Sequence, residues 1–148
     1  MKTDKTFTMN KSQLTTINCF RALVVDDYAP AKKLLSASLR TLPHIGEIEF
    51  ADNGEEALKM VESKRYDIIF LDVTMPGLDG FETCTLIREI KGYEMTPIII
   101  ITGNTSPGHK FKSVISGSTS YLTKPIKQET FRQLNLQLLS WLQSIQVA

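Results

Sequence analysis

Apolar residues along this chain fall into two patterns, and the order in which the patterns alternate predicts the fold. Arg21-Ala22-Leu23-Val24-Val25, Ile68-Ile69-Phe70-Leu71 and Pro97-Ile98-Ile99-Ile100-Ile101 are short, almost continuously apolar and rich in β-branched residues. Unbroken apolarity over so few residues predicts strands covered on both faces, as in a parallel sheet with helices on each side. Gly46 to Ala51 alternates polar and apolar residues, the pattern of an edge strand, and Thr119 to Thr123 reads as a last short strand.

Between these runs the apolar period lengthens to that of helices. Pro30 is tolerated in the first turn of the first helix; Ala31, Leu35, Leu39 and Leu42 form its inward stripe, Lys32, Lys33, Ser36 and Arg40 face out, and Pro43 ends it. Asn53 can cap the second helix, with Glu56 completing a capping-box-like pair and Ala57, Leu58, Met60 and Val61 on the core face. Phe81 to Lys91 reads as the third helix, with Leu86, Ile87 and Ile90 apolar and Gly92 at a left-handed C-cap. The fourth starts at Ser106-Pro107, runs through Val114 and Ile115 and is closed by Gly117; thin in apolar residues, it is expected to be the weakest of the helices.

The last helix, from about Gln128 to Ile145, carries Phe131, Leu134, Leu138, Leu142 and Ile145 on one stripe, with Leu139 and Trp141 flanking it and Leu136 well off it. That is more apolar surface than one buried face needs. The face made by the fourth helix, the last strand and the last helix is therefore expected to dock a second copy or a target protein, with Trp141 and Leu136 near its rim.

Five alternations of strand and helix predict an α/β fold, a doubly wound five-stranded parallel sheet with right-handed crossovers and helices on both faces. At 148 residues the chain suits one such domain. Residues 1–18 mix Lys, Thr, Asn and Ser with isolated apolar residues, so a flexible N-terminal extension is expected ahead of a domain spanning 19–148.

Seventeen Lys+Arg nearly balance 16 Asp+Glu, and a formal charge of +1 leaves no electrostatic footprint for nucleic acid or an anionic membrane. No apolar run approaches the roughly 18 residues of a membrane span. Cys19 and Cys84 fall in no metal-spaced cluster, so reduced, buried thiols in a cytoplasmic protein are expected.

In an open parallel sheet, ligands bind at the carboxyl ends of the strands. There the predicted strands present Asp26 and Asp27, Asp72, Thr102 and Lys124. Three clustered carboxylates are tolerable only beside a compensating cation, and oxygen-only ligands with room for water favour Mg²⁺. A lysine and a hydroxyl beside that metal are what a phosphoryl group needs on its remaining oxygens.

Taken in order, Leu23-Val24-Val25-Asp26-Asp27, Asn53-Gly54-Glu55-Glu56-Ala57-Leu58, the run Asp67 to Gly80, Thr102-Gly103 and Tyr121-Leu122-Thr123-Lys124-Pro125 resemble a response-regulator receiver domain of two-component signalling, of the chemotaxis-regulator kind. The resemblance spans about Phe20 to the last helix, and all these motifs in sequence are very specific. It implies the flavodoxin-like strand order 2-1-3-4-5, an order for which a member of this family is a standard example. It implies that Asp72 is the phosphoacceptor and takes its phosphoryl group from a phosphohistidine of a sensor histidine kinase or histidine phosphotransfer protein. Asp27, Asp72 and the Thr74 backbone carbonyl would bind Mg²⁺ directly, and Asp26 through a coordinated water. Lys124 and Thr102 would meet the phosphoryl oxygens, Tyr121 would be a rotamer switch that follows Thr102, and the Lys124-Pro125 bond would be cis. The protein would assist only its own phosphorylation and dephosphorylation, without turnover of a separate substrate.

The chain departs from the family pattern at Gly103, where alanine is commoner, and at Gly117-Ser118-Thr119-Ser120, a neutral stretch where acidic residues are frequent. Thr74 and Asn104 occupy positions that tune dephosphorylation in the family. His44 and His109 lack metal-spaced partners and read as surface residues, and Asp79, before Gly80, reads as a turn residue. With no sequence left for an effector after the last helix, a stand-alone receiver or the front piece of a longer protein is expected. Two other readings are a Mg²⁺-dependent aspartate-nucleophile phosphohydrolase of the haloacid dehalogenase type and a receiver that docks without taking phosphate. The adjacent rather than alternating Asp26-Asp27 and the lack of length for a substrate cap weigh against the first. The intact site residues weigh against the second.

Overall fold

A computed structural model describes residues 19–147; the extension expected over 1–18 lies outside the described residues. The elements alternate as β1 (Phe20–Val25), α1 (Ala29–Arg40), β2 (Ile45–Ala51), α2 (Gly54–Ser63), β3 (Ile68–Asp72), α3 (Gly80–Arg88), β4 (Ile98–Thr102), α4 (Pro107–Ile115), β5 (Ser120–Thr123) and α5 (Gln128–Val147). All strands are parallel, in the order β2-β1-β3-β4-β5. Among the described residues no helix is long and apolar enough to cross a membrane.

The continuous apolar runs are explained by two cores, one on each face of the sheet. Because successive strand residues point to opposite faces, Leu23, Val25, Ile69, Leu71, Ile98 and Ile100 pack with α2 and α3, against Ala57, Val61, Phe81, Cys84 and Ile87. Their neighbours Ala22, Val24, Ile68, Phe70, Ile99 and Ile101 pack with α1 and α5, against Leu35, Leu39, Phe131, Leu139 and Leu142. β2 lies at an edge, and Glu47 and Glu49 on it pair with Arg21 and Lys64.

α4 belongs to neither core. Its one buried side chain is Ser113, whose hydroxyl lies 2.6 Å from that of Ser118. Phe111, Val114 and Ile115 point to solvent, 64 to 74% exposed. A helix that packs through a serine has little apolar burial to hold it, in keeping with its expected weakness.

Several sequence expectations are corrected. Ser36, expected to face out, is buried; its hydroxyl donates to Lys33 O and accepts from Arg40, so it can be buried at little cost. α3 stops at Arg88 rather than Lys91, Leu86 is left partly exposed, and Gly92, with φ +99°, sits in the turn beyond rather than at the helix C-cap. The stop has a tertiary cause. The Arg88 guanidinium donates to Tyr93 O at 2.6 Å, Thr96 O at 2.7 Å and Gly117 O at 2.8 Å, tying the end of α3 to the entry of β4 and the α4–β5 turn. With no carboxylate partner for it among the described residues, burial lowers its pKa from the ordinary value.

On α5 the buried line is Phe131, Asn135, Leu139 and Leu142, while Ile145 is half-exposed, a rotation from the expected stripe. Trp141 packs against the core formed with α1, whereas Leu136 is exposed. Glu56 accepts from Asp52 N rather than closing the capping box on Asn53. Both cysteines are free, but Cys19 is only partly buried. Neither histidine is simply a surface residue. His44 has φ +72° and its carbonyl accepts from Phe20 N; His109 stands edge-on to Phe81 with centroids 5.5 Å apart.

Candidate functional site

The sheet register assembles the site. Val25 pairs with Leu71, so Asp26 and Asp72 are the next residues on adjacent strands. Asp72 pairs with Ile101, and Thr102 with Thr123, which puts Thr102 and then Lys124 one step further along the same edge. Backbone bonds past the strand ends lock this stagger: Asp26 N to Ala51 O at 3.1 Å, Val73 N to Ile101 O at 3.0 Å and Lys124 N to Thr102 O at 2.8 Å. The Lys124-Pro125 bond is cis, as the resemblance implied.

The loop after Asp72 is pinned at three points. Asp79 caps α3 in a full capping box with Glu82, an Asp-x-x-Glu signature legible in the sequence but read there only as a turn. Glu55 accepts from Leu78 N at 3.3 Å. Gly80 lies so close to β3 that a Cβ there would stand 2.4 Å from the Asp72 carbonyl oxygen. Sequence reasoning missed this close approach, because nothing in a Gly-rich loop says which glycine touches which backbone.

Asp26 and Asp72 are buried and Asp27 is exposed; one oxygen from each can lie within 4.8 Å of the others. Lys124 Nζ donates to Asp72 Oδ1 at 2.7 Å and is 4.0 Å from Asp26 Oδ2. Asp26 Oδ1 also accepts from Tyr28 N at 2.9 Å, which orients its carboxylate. One ammonium against three carboxylates leaves the cluster short of positive charge. The all-oxygen donor set fits a hard divalent cation of the Mg²⁺ kind.

Burial pushes the Asp72 carboxyl pKa above its ordinary value; the Lys124 bond opposes that rise, and the charges of Asp26 and Asp27 add to it. A carboxyl raised on folding is least costly when protonated. Its penalty is absent below the unfolded pKa of about 3.9 and fully developed once pH exceeds the folded value. Asp72→Asn is accordingly expected to raise the melting temperature in metal-free buffer at neutral pH, the gain vanishing below about pH 4. Thermal melts of both proteins across pH check this; equal melting temperatures at pH 7 would contradict it.

Thr102 is buried, and its hydroxyl accepts from Asn104 N at 3.0 Å. Tyr121 is half-buried, packed against the core shared by α2 and α3. Thr74 is exposed, two residues past Asp72. Asp26, Asp27, Asp72, Thr102 and Lys124 thus lie along one sheet edge and Thr74 in the loop after Asp72, whereas Tyr121, paired with Ile100, lies within β5 two steps back from that edge.

The family model described as response regulator receiver domain matches residues 22–135. The signal transduction histidine-protein kinase BarA of Escherichia coli is 32% identical over 115 residues, which cover 78% of this chain and 12% of that protein. The chain therefore spans only a small part of that curated relative. Chemotaxis response regulator CheY4 of Vibrio cholerae superposes with a TM-score of 0.74 at 33% identity, covering 81% of this chain and 98% of that one. The receiver domain of a Pseudomonas aeruginosa sensor histidine kinase, described with a magnesium ion coordinated in its active-site cleft, superposes with a TM-score of 0.74 at 27% identity, covering 82% and 98%.

Proposed function

The chain belongs to the response-regulator receiver domains, the phosphoryl-accepting switches of two-component signalling, and we propose that Asp72 is the residue that takes the phosphoryl group. The observation that carries this reading is the 2.7 Å bond from Lys124 to Asp72 beside Asp26 and Asp27. It sets the buried Asp72 carboxylate against a single ammonium, with an acidic pair at its side.

An Asp72 carboxylate oxygen attacks the phosphorus of a phosphohistidine on a sensor kinase or phosphotransfer protein. The new O–P bond forms as the N–P bond breaks, and the departing imidazole nitrogen takes up a proton. Asp26, Asp27, Asp72 and the Thr74 carbonyl would hold Mg²⁺, which neutralises phosphoryl-oxygen charge when bound. Lys124 exchanges its bond to Asp72 for one to a phosphoryl oxygen. The Thr102 hydroxyl leaves Asn104 N for another such oxygen, and Tyr121 turns into the space that opens. The loosely packed α4 then shifts, biasing a two-state equilibrium toward a partner-binding form of the face made by α4, β5 and α5.

Incubation with Mg²⁺ and acetyl phosphate is expected to add one phosphoryl group to the parent protein and none to Asp72→Asn, read by intact mass. Label persisting in the variant would move the acceptor elsewhere. A parent unlabelled by every phosphodonor would end the reading.

A further inference from the structure

The loop after Asp72 carries the Thr74 carbonyl, one of the donors assigned to the cation, so what fixes the loop bears on the site. Its two ends are held from within. Gly80 N donates to Val73 O at 3.1 Å and closes the base, and the Asp79–Glu82 capping box ties the far end to α3. Met75 is buried in the core shared by α2 and α3. The crest, Pro76-Gly77, is exposed, with Gly77 at φ +78°. Residues 74–78 make one hydrogen bond among the described residues, from Leu78 N to Glu55 Oε2 at 3.3 Å.

Glu55 belongs to another element. It stands in the first turn of α2, and that turn presses against the loop from outside. A Cβ on Gly54 would lie 2.9 Å from Leu78 Cβ, and one on Gly77 would lie 2.7 Å from Glu55 Oε2, so glycine permits the close approach from both sides. The carboxylates close enough to share an ion among the described residues are Asp26, Asp27 and Asp72, and Glu55 is not one of them. It reaches the site only through the loop.

We propose that Glu55 is a positioning residue for the cation, holding the crest so that the Thr74 carbonyl is ordered before the ion arrives. Mg²⁺ demands near-ideal octahedral geometry with donors at about 2.0–2.1 Å, and a loop fixed in advance spares the ordering cost that binding would otherwise bear. A carboxylate can also attract a cation by its charge alone. Glu55→Gln separates the two, because an amide oxygen still accepts from Leu78 N while the charge is gone. This inference deepens the switch reading and rests on its metal site, but the test tells their failures apart.

MgCl₂ is titrated into the full chain and its variants while two-dimensional NMR follows the amide shifts, and hydrogen exchange is read at Leu78 N. Glu55→Ala is expected to weaken Mg²⁺ on the order of fivefold, the scale of one lost hydrogen bond, and to speed exchange at Leu78 with the strand amides unchanged. Glu55→Gln is expected to stay within about twofold of the parent. Glu62→Ala, which removes an equal charge from the far end of α2, is expected to bind as the parent does. Parent-like affinity in Glu55→Ala, a loss in Glu55→Gln equal to that in Glu55→Ala, an equal loss in Glu62→Ala, or a parent that binds no Mg²⁺ would each overturn the proposal. Intact mass after acetyl phosphate is read in parallel. Label on Asp72 together with an affinity unmoved by Glu55→Ala sinks this inference alone, whereas an affinity that falls as expected in a chain that never takes label leaves it standing while the switch reading fails.

Discussion

Phe131→Ala is expected to destabilise the fold by about 3–5 kcal/mol, the range for truncating a buried aromatic residue. Phe131 is 1% exposed, and its ring lies 5.7 Å from that of Phe70, tilted by 38°. It is the point where α5 meets the central strand that carries Asp72. The void left by its ring would open onto Phe70 of β3, itself fully buried in the same close-packed core, which cannot simply close over it. The urea midpoint should fall with the slope of the transition unchanged. A loss of less than about 1 kcal/mol would mean that α5 packs against the sheet less firmly than its burial indicates.

Lys124→Met is expected to slow phosphoryl uptake from acetyl phosphate on the order of 10²-fold, the scale of removing one preorganised donor from developing negative charge. Methionine keeps much of the aliphatic stem but removes the ammonium that stands 2.7 Å from Asp72 and 4.0 Å from Asp26. The loss should appear in the rate constant rather than in the final extent of labelling, and the far-ultraviolet circular dichroism should match that of the parent. An unchanged rate would remove Lys124 from the transfer step and leave it only a role in holding Asp72.

The sheet was legible because its signal is local. Three unbroken apolar runs can be satisfied only by strands covered on both faces, and their ends name Asp26, Asp72 and Thr102 without further information. What escaped is what depends on partners distant in sequence. Leu86 reads as a core residue until Arg88 is seen to reach forward to Tyr93, Thr96 and Gly117, which ends α3 early. Asn135 had no place on the expected stripe of Phe131, Leu134, Leu138, Leu142 and Ile145, yet its amide donates to Phe131 O one turn back and the residue is fully buried. His109 reads as solvated until α4 is placed beside Phe81. The site residues needed only strand ends and motif order to be placed. The bond between Thr102 and Asn104 N needed the fold.

The Arg88 bridge has a mechanical corollary. It fastens the Gly117 carbonyl, just past the carboxyl end of α4, to α3 and β4, and the Ser113 and Ser118 hydroxyls secure the same end. Among the described residues the opposite end is held more lightly, by the turn bonds of Asn104 and Ser106 and by His109 edge-on to Phe81, with no guanidinium bridge. A rod fixed at one tip moves as a lever. With nine residues and a rise of about 1.5 Å each, a swing of about 10° carries the free tip roughly 2 Å while the anchored tip barely moves. Whatever rests near Pro107 feels the full stroke, and whatever rests near Ile115 feels almost none.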